Sequence, residues 1–97
     1  MNWENVIAFH GDVINCYYSD IVANFGEPTE CDIDGKINFE WEITTPNGTT
    51  FTIYDWKKRN ADVKNELIQW NIGRGANGIE VREFLESKGF KTDNIYF

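Results

Sequence analysis

The sequence predicts an α+β domain: a three- to four-stranded antiparallel meander flanked by N- and C-terminal helices. Three observations predict it. Ile37, Phe39, Trp41 and Ile43 alternate with Asn38, Glu40, Glu42 and Thr44, the period of a strand with one buried face. A Thr-Pro-Asn-Gly-Thr run at 45–49 follows, and Phe51 and Ile53 then alternate with Thr50 and Thr52. On either side of these strands, residues 19–25 and 77–88 place apolar side chains at helical spacing and run into a glycine.

The first element has two readings. Trp3, Val6, Ile7 and His10 fall at i, i+3, i+4 and i+7, a helical stripe that Gly11 could end; a short strand over 6–9 competes with it. The next segment is a clearer helix. Ser19 is placed to cap it, Ile21, Val22 and Phe25 share a face, and Gly26 stops it. Pro28 biases Glu27 out of helical geometry. The run CDIDGK at 31–36 reads as a turn before the strand at 37–44.

The hairpin register can be argued from the pattern. A two-residue Asn-Gly loop pairs Thr44 with Phe51 and sets apolar against polar side chains. A three-residue loop, Pro46-Asn47-Gly48 with Gly48 left-handed, pairs Ile43 with Phe51 and Trp41 with Ile53. The second register is therefore expected. It places Asp55 on the core face opposite Phe39, and sets Glu42 against Thr52, Glu40 against Tyr54 and Asn38 against Trp56 on the other face.

Residues 57–65 form a polar connection with room for one helical turn from Asn60 or Asp62. A third strand at 67–72 turns Ile68, Trp70 and Ile72 to one face. After the glycine-rich loop GRGANG (73–78), Asn77 with Glu80 three residues on has the form of a capping box. Val81, Phe84, Leu85 and Lys88 form the inner stripe of the last helix, and Gly89 ends it. Ile95 and Phe97 alternate in a final edge-strand candidate. The helices are expected to bury Phe39, Trp41, Ile43, Phe51, Ile53 and Trp70, leaving Glu40, Glu42, Thr44, Thr50, Thr52, Tyr54 and Trp56 on the opposite face.

The 97 residues make one domain, 1–97, with a single core. Aromatic residues are 15% of the chain, so the core or a binding face is aromatic-rich. The formal net charge of −7 opposes direct binding to nucleic acid or to an anionic membrane, which requires excess Lys and Arg. It suits a partner protein with a basic surface. No apolar run approaches a membrane span, and the opening MNWENVIAFHGDV has no basic region before an apolar one, so no signal peptide is expected. Cys16 and Cys31 form no CxxC pair, and His10 alone cannot complete a zinc site with them. Two free thiols in a cytoplasmic protein, with no metal and no cofactor, is the resulting expectation.

Two sets of candidate site residues emerge. The first is for protein binding. From Glu27 to Glu42 the chain carries Glu27, Glu30, Asp32, Asp34, Glu40 and Glu42 against the single Lys36. With Tyr54 and Trp56 on the same sheet face, joined by Tyr17 and Tyr18, the binding set is Asp32, Asp34, Glu40, Glu42, Tyr54 and Trp56. A solvated face is the bland alternative, and a second copy of the chain is another cover for the aromatics. The second set is for an anionic ligand. The amides of GRGANG and Arg74, joined by Lys57, Lys58 and Arg59, would suit a phosphorylated or nucleotide molecule, although the loop is neither a P-loop nor GxGxxG. The CDIDGK run opens like a calcium loop, but the closing position, 43, is Ile. Asp55, between Tyr54 and Trp56, is the remaining candidate acid. With no catalytic partner implied by spacing, it reads as a structural group held by Arg74, a lysine or backbone amides, ahead of an enzyme acid. No catalytic residues are assigned.

The runs NFGEPT, FEWEITTPNGTTFTIYDWKK and WNIG, spread over residues 24–73, resemble small acidic proteins of phages and prophages. These carry an FGEP turn, a hairpin ending in IYDW or IYDY before lysine, and a W-x-I-G strand. Arg74 departs from the second glycine of the W-x-I-G-G form. The resemblance implies a protein of the bacterial host cytoplasm that binds and disables a host factor, with CRISPR complexes, restriction enzymes and nucleotide-signalling pathways as the class of target. It implies no catalytic residues.

Overall fold

A computed structural model describes residues 7–33, 36–74, 77–93 and 95 of the chain. The fold is α+β, with β1 (Ile7–Cys16), α1 (Tyr18–Phe25), β2 (Glu30–Ile33), β3 (Ile37–Thr44), β4 (Thr50–Tyr54), α2 (Asn60–Asn65), β5 (Ile68–Arg74) and α3 (Gly78–Ser87) in chain order. The five strands form one sheet in the order β1-β5-β4-β3-β2, every neighbouring pair antiparallel. Four of them make a meander, and the first strand closes it by pairing with the last.

The hairpin pattern dictates the centre of this sheet. Ile43 lies opposite Phe51, Trp41 opposite Ile53, Glu42 opposite Thr52 and Glu40 opposite Tyr54, the register the alternation requires. Gly48 takes φ 92° in the connecting loop, where a β-carbon would be strained, and its N–H closes the turn on the Thr45 carbonyl at 2.9 Å.

Two strands exceed the sequence expectation. Residues 7–16 are a strand, so the helical stripe is overruled over Ile7 and His10; Trp3 and Val6 lie outside the described residues. The physical reason is the edge of β5. Its backbone groups gain partners only if another strand pairs there, and this tertiary demand outweighs local periodicity. The pairing is irregular: between Ala8↔Gly73 and Val13↔Asn71, β1 advances five residues while β5 advances two. Part of the expected turn at 31–36 is β2, whose Glu30, Cys31 and Ile33 pair with Glu40, Phe39 and Ile37. At the other end, Lys91–Asp93 and Ile95 form no strand; Ile95 is buried and Phe97 lies outside the described residues.

The core lies between one sheet face and the helices. Ile14, Ile72, Trp70, Phe51, Ile53, Trp41 and Phe39 meet Ile21 of α1, Val63 of α2, and Val81 and Leu85 of α3. Trp41 and Trp70 pack edge to face with centroids 5.4 Å apart. Each indole N–H is satisfied: Trp41 donates to the Gly26 carbonyl at 2.9 Å, Trp70 to the Cys16 carbonyl at 3.1 Å. Gly26, φ 83°, thus ends α1 and receives a core tryptophan.

Helix starts differ from expectation. Ser19 lies inside α1, and Asp20 caps it instead by accepting from the Tyr17 N–H at 2.9 Å. Asn77 makes no cap bond; it donates to Glu80, which also accepts from Thr45 and Thr49 of the β3–β4 loop at 2.6 and 2.5 Å. Glu80 therefore ties α3 to the hairpin tip, and these hydrogen bonds, first of all that from Thr45, lower its carboxyl below the usual range. Among the described residues, no helix is long and apolar enough to cross a membrane.

Candidate functional site: an acidic margin and a cationic corner

The sheet face turned away from the helices is not the open surface that alternation suggests. Register aligns Val13, Asn71, Tyr54, Glu40 and Glu30 in one row across all five strands. In this row Val13, Tyr54 and Glu40 are buried, and Asn71 and Glu30 are half-buried. Thr52 of the adjacent row is buried as well. Glu40 and Tyr54, expected as exposed binding residues, are thus interior groups. Alternation fixes the face a side chain takes but not what covers that face.

Glu40 is the exceptional member of the row. It is fully buried, and neither carboxylate oxygen has a hydrogen-bond partner. Burial, then the Glu30 and Glu42 charges, push its carboxyl up to about 7. Tyr54 beside it is raised too, by burial and then by Glu40. Glu30 and Glu40 stand directly opposite on β2 and β3, a like-charge cross-strand pair that opposes strand pairing. Glu42 follows two residues on, on the same face and exposed. Its backbone N–H is held by the Thr29 hydroxyl at 2.9 Å, so the Glu27–Glu30 segment lies against it. Exposed Glu27 and Glu42 with half-buried Glu30 therefore form an acidic margin where the sheet ends at β2. The side chains of Asp32 and Asp34 lie outside what the structure describes.

Asp55 does lie on the inner side beside Phe39, and backbone amides hold it. One oxygen accepts from the N–H groups of Asn38 and Phe39, at 3.0 and 2.8 Å; the other accepts from the Asn38 side-chain amide at 2.8 Å. The residue is fully buried. It fastens the β4 exit to the start of β3, with no side open to a substrate.

The same fastening builds a corner around Trp56. The Asn38 side chain also donates to the Lys58 carbonyl at 2.6 Å, and the Lys57 N–H donates to the Lys36 carbonyl at 2.7 Å. Lys57 has φ 54°, the one positive φ of a non-glycine residue among those described. The Lys36 and Lys57 ammoniums lie 5.9 and 5.8 Å from the Trp56 ring centroid, and the ring is 38% exposed. Trp56 therefore belongs to a cationic corner. Of the expected anion-site residues, Lys57 and Lys58 are exposed here, and Arg59 pairs with Asp62 at 2.9 Å. The Arg74 side chain lies outside what the structure describes. Sequence reasoning missed Lys36, whose only signal was its place on the turn before β3.

A third feature is a cleft of about 570 Å³ where β1 ends and α3 stops, walled by Asn15, Tyr17, Leu67, Lys88, Phe90 and Lys91. Tyr17 and Leu67 are exposed, whereas Tyr18 packs inward on Phe39 and Trp41. The Cys16 thiol at this cleft is buried; burial and then Asp20 push it up to about 12, far from a nucleophile's range. Both cysteines are free, Cys31 exposed. Among the described residues, no three His, Cys, Asp or Glu side chains are grouped to hold a metal ion.

No protein-family model matches the chain, and no curated protein or solved structure matches it either.

Proposed function

We propose that the protein is a non-enzymatic interaction protein that docks on a basic surface of another protein through the acidic margin at β2 and β3. One observation carries this reading: the fold keeps Glu30 opposite a buried, unbonded Glu40, with exposed Glu42 beside them. Crowding carboxylates at this edge costs stability in the free protein, and a partner's Lys or Arg groups would offset part of that cost on binding. The net charge of −7 adds long-range attraction to such a surface. In the setting the sequence resemblance implies, the partner is a host factor, an anti-phage defence component among the candidates, and binding inhibits it.

The test is capture from a bacterial lysate with immobilised protein, beside a Glu30→Lys/Glu42→Lys variant. The reading expects a basic protein that is retained at low salt, released as salt rises, and lost in the variant. Retention of nothing, or of a protein indifferent to the charge reversal, would overturn it.

A further inference from the structure

We infer that the corner of Lys36, Trp56 and Lys57 binds a mononucleotide, its base stacked on the Trp56 indole and its phosphate held by the two ammonium groups. The inference is independent of the acidic margin.

The first support is composition against location. The chain is strongly acidic, yet Lys36, Lys57, Lys58 and Arg59 gather at one end of the sheet around an exposed tryptophan. Among the described residues, the acid paired with them is Asp62, which is taken by Arg59. Asp55 is turned inward and saturated by amides, so it does not neutralise the corner.

The second support is that the corner is built. The lysines belong to segments 36–39 and 55–58, which are cross-tied by the Lys57–Lys36 backbone bond, the Asp55 bonds to Asn38 and Phe39, and the Asn38–Lys58 bond. Both ammonium groups lie within 6 Å of one ring centroid, so a single ligand can touch ring and charge together. Lys57 holds a left-handed backbone that costs a lysine about 1 kcal/mol and a glycine almost nothing. A turn with no further role would be served better by glycine; here the side chain at 57 is retained over the ring.

The third support is the chemistry of the fit. An exposed indole offers a stacking platform for a base, and two lysines with no ion-paired acid among the described residues offer a phosphate site. A long polyanion is disfavoured by the −7 charge of the rest of the chain, so the ligand is a single nucleotide and not a nucleic-acid strand.

The experiment is calorimetric titration of the full chain with adenosine monophosphate, adenosine and inorganic phosphate. Adenosine monophosphate should bind at least about tenfold more tightly than either fragment, since stacking and charge act together. Trp56→Ala and Lys36→Ala/Lys57→Ala should each weaken it about tenfold or more, while Lys88→Ala at the cleft and Glu42→Lys at the acidic margin leave it unchanged. All the altered positions are exposed, and circular dichroism of each variant checks that it folds. No binding of the nucleotide would overturn the inference. So would phosphate binding as tightly as the nucleotide, which would leave a simple anion site, or binding indifferent to Trp56.

Discussion

At the scale of single residues, Asp55 shows how a carboxylate beside two aromatic rings can be wholly structural. Its oxygens serve the N–H groups of Asn38 and Phe39 and one N–H of the Asn38 side-chain amide. Asp55→Ala should therefore cost about 3 kcal/mol in urea unfolding, because buried donors lose charge-assisted partners. Asp55→Asn, which keeps one acceptor oxygen, should cost less. The inward direction of this side chain was legible from the hairpin register. Its partners were not, since nothing in the spacing of residues 38 and 55 distinguishes a backbone donor from a cation such as Arg74. Lys57 carries the opposite kind of signal, a local cost. Lys57→Gly should leave the fold intact and raise its stability by up to about 1 kcal/mol, whereas Lys57→Val, β-branched in a left-handed position, should lower it. Urea midpoints of the two variants check this.

Among the elements, what was legible depended on how much of the signal was local. β3 and β4 were legible to the residue, because Ile37, Phe39, Trp41, Ile43, Phe51 and Ile53 alternate without interruption and only one register keeps them together. β1 was not, because its pairing jumps between Ala8 and Val13 and its demand comes from β5, more than fifty residues away in sequence. β2 is four residues long, too short for alternation to register against the turn residues around it. Glu80 was read as part of a helix cap. Its geometry makes it a tie between α3 and the hairpin loop through Thr45 and Thr49, a role visible only once helix and loop meet in space. Glu80→Ala should lower the melting temperature and speed amide exchange at residues 45–50 while leaving exchange in β5 unaltered. Because the folded carboxyl lies below its ordinary value near 4.5, this stabilisation is present above that pH. It is lost as pH falls through the folded value, so the variant and the parent should converge in acid.

For the molecule as a whole, the sheet has one face that makes the core and another that holds a buried acidic row. Face assignments for Glu40, Glu42, Tyr54 and Thr52 were all correct in the sequence, yet three of these four are buried. Direction follows from period two, whereas coverage depends on the rest of the chain. The result is a charge division: carboxylates at the β2 margin, cations around Trp56. The proposed functions differ in which of these zones they use, and the first rests on a fold that tolerates Glu40 buried without hydrogen-bond partners in its second face. That acid should be felt in global stability. Its folded value of about 7 lies above the ordinary 4.5, so the native state holds a proton that the unfolded chain releases. The contribution of Glu40 should be greatest below about 4.5, decline as pH rises from there to about 7, and then level off, with a total of about 3 kcal/mol.

The direct measurement is urea unfolding of the parent and of Glu40→Gln at intervals from pH 4 to pH 9. The two should be nearly equal at pH 4, where Glu40 is protonated. The variant should exceed the parent by about 3 kcal/mol at pH 8, where the parent must bury a charge. Parallel curves, or a variant less stable at pH 8, would contradict a buried carboxylate without hydrogen-bond partners in this row and with it the acidic margin as a surface awaiting a cationic partner.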